Sequence, residues 1–342
     1  MRHLRWLFGA VTWLILVAVG VTLGQDEGQK QAPKTLGKIE VVDKKFTELI
    51  DAGAKIEILA TGFQWSEGPV WVPAEKCLLF SDVPKNRIHR WQAGKPVSVF
   101  MEPSGFDKQS DSKENEPGSN GLMLDSEGRL LVCDHGNRRV YRVEKDGSKT
   151  TLADKFEGKR FNSPNDLIVR SNGDIYFTDP PYGLRDASKR ELDFKGVYRL
   201  TPDGKVWVVT RELHRPNGIA LSPDEKTVYV AQSHKPVATY TKYKVVDDGS
   251  FVRGEILFDA SELAAKDPGL PDGMVVDKAG NLWATGPGGV LVITPEGKLL
   301  GRVFTGTPTA NCTFGEDGST LFMTAGKYLL RVKTKTKGLG FE

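Results

Sequence analysis

The strongest constraint on the fold is a short pattern that recurs six times along the chain. Each copy has a polar residue, usually before a glycine, then a short apolar run, a turn and a second apolar run. Asn217-Gly218, for example, leads through a turn to the apolar run at 227–230. The leading residues are Glu67, Asn120, Asn165, Asn217, Asp272 and Asn311, separated by 53, 45, 52, 55 and 39 positions. A repeat of this length with several short strands per copy predicts the blades of a β-propeller.

Six copies predict an all-β, six-bladed propeller over residues 51–336, followed by a tail at 337–342. A propeller must close its ring, and a strand from one terminus can complete the blade formed at the other. The alternating segment 55–60 precedes the first repeat, so we expect it to pair with the strand at 328–332. Closure of this kind leaves no long open sheet edge.

Residues 1–24 have the features of an export signal. Arg2 and Arg5 precede an uncharged run at 6–23, and small residues lead to a polar switch at Gln25-Asp26. We expect cleavage near Gly24, with an uncleaved anchor as the alternative because the run is borderline for a membrane span. In both cases the protein is exported, either periplasmic or secreted. Residues 25–50 are expected to form a polar lead-in that is loosely ordered over 25–45.

Composition excludes several partners. The chain has 39% hydrophobic and 27% charged residues, as in a typical globular protein. Its formal charge of +3 falls by two without Arg2 and Arg5, so nothing favours a nucleic acid. No membrane partner is expected beyond the N-terminal anchor. Cys77, Cys133 and Cys312 lie far apart in or beside predicted strands, so we expect buried free thiols.

One face of the predicted propeller collects the polar loops. If each leading residue starts an innermost strand at one mouth of the channel, the loop after the second strand returns to that mouth. The two long irregular stretches, 104–119 and 184–195, map to the same face. Long polar loops on one face of a rigid scaffold are typical of a functional site. His135, His214 and His234 also lie there, and His135 is the strongest candidate among them.

The six leading residues all carry side-chain oxygens, and the pseudo-sixfold symmetry points them at one axis. Asn-Gly and Asp-Gly are ordinary turn dipeptides, so the prediction rests on six copies in register. Two carboxylates, Glu67 and Asp272, would repel each other at one place without a cation. Such ligands suit a hard divalent ion, Ca²⁺ first, with Mn²⁺, Mg²⁺ and Zn²⁺ left open. The absence of Cys or paired His at these positions argues against a structural zinc site.

Four motifs resemble one known family. They are Ser66-Glu67-Gly68-Pro69-Val70-Trp71, Asn162-Ser163-Pro164-Asn165-Asp166, Arg215-Pro216-Asn217-Gly218 and Pro271-Asp272-Gly273. In this order they resemble the gluconolactonase, regucalcin and senescence-marker-protein family, from about residue 62 to residue 332. The resemblance implies a six-bladed propeller with one catalytic divalent metal in its channel and a lactone-hydrolysing activity.

The same resemblance implies roles for individual residues. It implies metal ligation by Glu67, Asn217 and Asp272, with Asn165 as a further ligand or a substrate contact. The loop at 134–136 is similar to that of bacterial lactonases of the family. Ser163 stands where some relatives have an arginine, which departs from the animal regucalcins and favours the bacterial branch.

We therefore predict metal-dependent hydrolysis of a small-molecule sugar lactone. The metal acts as a Lewis acid, and a water attacks the carbonyl with Asp272 or Glu67 as the general base. The residues predicted to bind the sugar hydroxyls are Asn120, His135, Asn165 and Tyr182. Two alternatives stay open: a metal-dependent phosphoester or organophosphate hydrolase on the same scaffold, and a non-catalytic calcium-binding or sugar-binding propeller. The sequence does not specify the oligomeric state or whether 104–119 closes over substrate.

Overall fold

The computed structural model describes residues 34–107 and 116–341, which form a six-bladed β-propeller. Each blade is an antiparallel sheet of consecutive strands, and two N-terminal strands are added to the outer edges of blades 5 and 6. Blade 1 contains Ser66–Val72, Cys77–Asp82, Arg87–Trp91 and Ser98–Met101; blade 2 contains Ser119–Leu124, Leu130–Asp134, Arg139–Val143 and Lys149–Ala153; blade 3 contains Leu167–Val169, Ile175–Thr178, Val197–Leu200 and Val206–Thr210. The predicted fold is confirmed.

The second half of the ring repeats this arrangement. Blade 4 contains Pro216–Leu221, Thr227–Gln232, Thr239–Lys244 and Glu255–Asp259; blade 5 contains Met274–Val276, Leu282–Gly286, Gly289–Ile293, Leu299–Phe304 and Lys38–Val41; blade 6 contains Asn311–Gly315, Thr320–Ala325, Tyr328–Lys333 and Glu57–Thr61. Outside the blades lie the hairpin Lys155–Phe156 with Lys159–Arg160, the helices Phe46–Leu49 and Ser261–Ala264, and the 3-10 turns Pro73–Glu75, Val83–Lys85 and Ala187–Lys189. The loops between these strands bring residues to the two ends of the channel.

The ring closes as predicted. Glu57–Thr61 pairs antiparallel with Tyr328–Lys333, with Glu57 opposite Arg331. The side chains of this pair are also joined, because Arg331 Nε donates to Glu57 Oε2 at 2.8 Å. An N-terminal strand thus covers the outer edge of the C-terminal blade, which removes an unpaired sheet edge.

The lead-in differs from the expectation over its described part. Lys38–Val41 pairs with Leu299–Phe304 and adds a fifth strand to blade 5, where a loosely ordered segment was expected. Phe46 and Ile50 follow and are completely buried, and the Phe46 ring lies 6.4 Å from that of Trp283. The polar composition of the segment did not predict this strand, because an outer edge strand buries little of its own surface. Residues 25–33, and the predicted signal at 1–24, lie outside the described residues.

Replacing Phe46 by alanine should lower the free energy of unfolding by about 3 to 5 kcal/mol, because a fully buried ring leaves a cavity. Val42 is 61% exposed four residues earlier, and Val42→Ala should change the free energy of unfolding by no more than about 0.5 kcal/mol. Urea denaturation of the two variants measures this difference. Equal values for both would contradict the observed packing of the lead-in.

The apolar core lies between neighbouring blades and leaves the axis free for a channel. Trp71 of blade 1 stacks on Phe322 of blade 6, with ring centroids 5.8 Å apart. The three cysteines are buried and free, as predicted. Within residues 34–107 and 116–341, no helix has the length and apolar character needed to cross a membrane. The predicted tail is described to residue 341, and Leu339 N–H donates to Val276 O at 3.0 Å.

The glycine after a leading residue has a packing role. A Cβ at Gly68 would collide with the carbonyl oxygen of Asn120, and a Cβ at Gly218 would collide with that of Asp272. In both cases the obstructing oxygen belongs to the leading residue of the next blade along the chain. Where a glycine follows the leading residue, the backbones of neighbouring innermost strands can approach this closely around the axis. The recurring glycine therefore follows from the propeller geometry.

Candidate functional site

One mouth of the channel opens into a cavity of about 390 Å³. It is lined by six of the predicted site residues, which are Glu67, Asn120, Asn165, Tyr182, Asn217 and Asp272. Five of these, all except Tyr182, meet because each leads the innermost strand of its own blade, although Glu67 and Asp272 are more than 200 positions apart. A cavity of this size is within the range of small-molecule sites.

Asn311 does not join this group, so the expected convergence of all six leading residues is wrong. Its side chain occupies the space left by the missing Cβ of Gly273. It lines a second cavity of about 380 Å³, shared with Asp166, while its Oδ1 accepts a hydrogen bond from Cys312 N–H at 2.8 Å. Five leading residues therefore face the mouth, and the sixth faces the other cavity.

The three asparagines of the mouth form a hydrogen-bonded chain. Asn120 Nδ2 donates to Asn165 Oδ1 at 3.1 Å, and Asn165 Nδ2 donates to Asn217 Oδ1 at 2.6 Å. Asn217 Nδ2 in turn donates to Ser233 Oγ at 3.0 Å. The chain fixes each amide, and it leaves Asn217 Oδ1 with one lone pair for another partner.

His135 stands behind this chain and is not part of the cavity wall. It is completely buried, with Nε2 3.1 Å from Asn165 Oδ1. In the tautomer with a proton on Nε2, His135 donates to the same oxygen that accepts from Asn120 Nδ2. In this arrangement Asn165 orients Asn217, and its predicted role as a further metal ligand or a substrate contact stays a prediction. His135 is separated from the cavity by Asn165, in contrast to the predicted substrate contact.

Glu116 also lines the cavity, although it was not predicted from the sequence to be a site residue. Its Oε2 lies 2.9 Å from His135 Nδ1, within ion-pair distance. The sequence offered one signal, which was the position of Glu116 in the long stretch 104–119 on the mouth face.

Burial and mutual repulsion dominate the electrostatics of the cavity. Burial raises the pKa of Glu67 to about 8, and the nearby Asp166 and Glu116 add to this rise. Burial and then Glu67 raise the pKa of Asp272 well above its usual range. Glu67 is 3% exposed and accepts a hydrogen bond from Gly68 N–H at 3.0 Å, whereas Asp272 is partly exposed. These carboxyl groups would ionise more readily beside a cation.

The donor set fits a hard divalent cation. Asn120 Oδ1 is buried without a hydrogen-bond partner, which is costly unless another group satisfies it. Carboxylate and amide oxygens are the ligands that such ions prefer. In the part of the chain that the structure describes, no group of three or more His, Cys, Asp or Glu side chains could hold a metal. A site here therefore depends on the amide oxygens as well as on Glu67 and Asp272.

Two basic residues also line the cavity without having been predicted, Arg215 and Lys235. The guanidinium carbon of Arg215 lies 5.9 Å from the ring centroid of Tyr182. His214 and His234 pack together, with ring centroids 4.8 Å apart, but neither is part of the wall. Arg215 lies two residues before Asn217 in the motif Arg215-Pro216-Asn217-Gly218, in which only Asn217 was predicted to be a site residue.

The fold and the site define a six-bladed propeller with a carboxylate and amide centre at the mouth of its channel. Residues 65–327 match the family described as SMP-30/Gluconolactonase/LRE-like region, and the chain belongs to this family. This confirms the predicted family.

The relatives include two named lactonases. The chain is 40% identical over 326 residues to a gluconolactonase from Zymomonas mobilis, covering 91% of this chain and 92% of the relative. It is 30% identical over 273 residues to a pentonolactonase from Haloferax volcanii, covering 78% and 83%. A solved gluconolactonase from Xanthomonas campestris is similar with a TM-score of 0.78 and 34% identity, covering 88% of this chain and 96% of that one.

Proposed function

We propose that this protein is a metal-dependent lactonase that hydrolyses a sugar lactone. The observation that carries the proposal is the meeting of Glu67, Asn217 and Asp272 in one cavity, beside further side chains suited to bind hydroxyl groups. The similarity to a gluconolactonase over 91% of the chain supports the same activity. The substrate is therefore a small molecule whose reacting ester lies against the two carboxylates.

Glu67, Asn217 and Asp272 are the proposed metal ligands, with Asn120 Oδ1 as a further donor. Ca²⁺ is the first candidate on the chemistry of these oxygens, and Mn²⁺, Mg²⁺ and Zn²⁺ stay open. When bound, the ion would supply Lewis-acid stabilisation for the charge that develops on a lactone oxygen.

Asp272 is the proposed general base. Water forms a bond to the carbonyl carbon, the ester bond to the ring oxygen breaks, and the proton of the water passes through the carboxylate to that oxygen. The product is an open-chain hydroxy acid. Asp272 suits this role better than Glu67 because it is more exposed to the cavity, whereas Glu67 is held by Gly68 N–H.

The remaining polar residues are proposed to bind the sugar. Asn120 and Tyr182 line the cavity and are placed to contact hydroxyl groups, as is Glu116. His135 is a positioning residue, because it contacts Asn165 and Glu116 and is itself buried. Several directional partners suit a polyol, because each hydroxyl both donates and accepts hydrogen bonds.

Hydrolysis of glucono-δ-lactone by the purified protein tests the proposal. Activity should disappear after chelation and return when one of Ca²⁺, Mn²⁺, Mg²⁺ or Zn²⁺ is restored. Turnover of phosphoesters without turnover of lactones would replace the proposed substrate class. Metal binding without turnover of any ester would point to a binding propeller.

Glu116→Gln is expected to lower kcat/KM for glucono-δ-lactone by roughly 10- to 100-fold. The reason is that a hydrogen bond from a sugar hydroxyl to a charged carboxylate contributes about 1.5 to 3 kcal/mol. The matched control is Glu127→Gln, because Glu127 is exposed and pairs with Arg129 outside the cavity. Steady-state kinetics of both variants give the comparison. Wild-type kinetics for Glu116→Gln would remove it from the proposed site.

We also propose that the protein is exported, with residues 1–24 as a cleaved signal or an anchor. Arg2 and Arg5 before the uncharged run at 6–23 support this proposal. N-terminal sequencing of the protein from fractionated cells is the test. A mature chain beginning near residue 25 outside the cytoplasm is expected, and an intact chain in the cytoplasm would refute export.

A further inference from the structure

The wall of the cavity carries both negatively and positively charged side chains. Glu67, Asp272 and Glu116 supply carboxylates, whereas Arg215 and Lys235 supply cations on the side formed by blade 4. Tyr182 also lines the cavity, and the centroid of its ring lies 5.9 Å from the guanidinium carbon of Arg215. A molecule in the cavity therefore meets both carboxylates and cations.

Arg215 also lies near other basic residues. Partial burial, Arg190 and Arg215 lower the pKa of Lys195. Partial burial and His214, Arg215 and Lys195 likewise lower the pKa of His234. Like charges repel one another, and an anion bound beside Arg215 would relieve this repulsion.

Acidic partners for these cations are absent from the described ranges 34–107 and 116–341. Neither Arg215, Lys195 nor Lys235 forms an ion pair there, although the same structure pairs Arg139 with Asp134 and Arg302 with Glu40. Arg215 and Lys235 are both exposed to solvent and reach the cavity. They are thus available to a ligand.

We infer that the substrate is a sugar lactone with an anionic group, a phosphate, sulfonate or carboxylate, at the end of the molecule remote from the lactone carbonyl. Arg215 and Lys235 would hold that group while the ester lies against Glu67 and Asp272. The inference rests on the proposed function, because it places the reacting ester at the carboxylate side. It goes further by naming a second charged contact.

The chemistry of the two residues suits this task. The guanidinium fork of Arg215 binds phosphate, sulfonate or carboxylate oxygens in pairs, and the Lys235 ammonium adds a compact point charge. Because both side chains are exposed, their attraction for an anion should weaken as the ionic strength rises. A neutral lactone has no such group and should show little dependence on salt.

The test compares kcat/KM for glucono-δ-lactone with kcat/KM for the same lactone phosphorylated on its terminal hydroxyl. A third substrate, a lactone with a terminal carboxylate, shows whether the site prefers a carboxylate or a phosphate. Wild-type protein should prefer at least one anionic lactone. The preference is the kcat/KM for the anionic lactone divided by the kcat/KM for the neutral lactone. The double variant Arg215→Gln and Lys235→Gln should lower this preference by tenfold or more, because each exposed charge contributes about fivefold.

Two controls separate a local contact from general electrostatics. Arg211 lies 4.4 Å above the Phe194 ring and does not line the cavity, so Arg211→Gln should keep the wild-type ratio. Lys235→Arg retains the charge and should keep most of the preference. A wild-type protein that turns over the neutral lactone and discriminates against both anionic ones would overturn the inference and leave the proposed function intact. An equal loss on all lactones in the double variant would also overturn it.

Discussion

Asp272→Asn is expected to lower kcat/KM for lactone hydrolysis by about three orders of magnitude, within the range of roughly 10²- to 10⁴-fold for loss of a general base. The substitution keeps the size of the side chain and one oxygen, but it removes the charge and the proton acceptor. Metal affinity, measured by titration calorimetry, should fall as well because one of two carboxylate ligands is lost.

The matched control is Asp166→Asn. Asp166 is another buried carboxyl of the channel, with a pKa raised by burial to about 7, but it lines the second cavity. Its replacement should leave kcat/KM within about tenfold of wild type, since it removes no group that contacts substrate. Glu67→Gln separates the roles of the two carboxylates. Full activity of Asp272→Asn together with an inactive Glu67→Gln would transfer the general base to Glu67.

The metal-free protein should lose stability as the pH rises from about 4 to about 8. Burial raises the pKa of Glu67 to about 8 and that of Asp166 to about 7, and the pKa of Asp272 rises well above its usual range. The folded state therefore binds more protons than the unfolded state in this window, so the stability contributed by these groups falls with rising pH. His89 opposes the trend because burial lowers its pKa.

Saturating metal should reverse this loss, because a cation stabilises the ionised carboxylates. At a concentration one hundred times Kd, binding contributes about 2.7 kcal/mol, or an increase in Tm of about 5 °C. Thermal unfolding at pH 5 and pH 8, with chelator and with Ca²⁺, measures both effects. Without metal, the double variant Glu67→Gln with Asp272→Asn should lose less stability between pH 5 and pH 8 than the wild type. A metal-free wild type that becomes more stable toward pH 8 would contradict the assignment of these carboxyls.

Local patterns were sufficient to predict much of this protein. Each blade is a run of antiparallel strands joined by short turns, so its register and its leading residue are visible within about fifty positions. Closure was predictable for a related reason, because a propeller must cover its last edge. The strand Lys38–Val41 was not predictable from local patterns, because it pairs with an edge of blade 5 that is far away in sequence.

The sequence by itself determined the number of blades, the closure of the ring and the identity of the six leading residues, because these follow from a repeat and its symmetry. Only the tertiary structure decided that Asn311 turns to the second cavity, since its side chain fills the space beside Gly273. It also brought Glu116 to His135, and Arg215 and Lys235 to one wall. These contacts join loops of different length, and no repeat specifies where such loops meet.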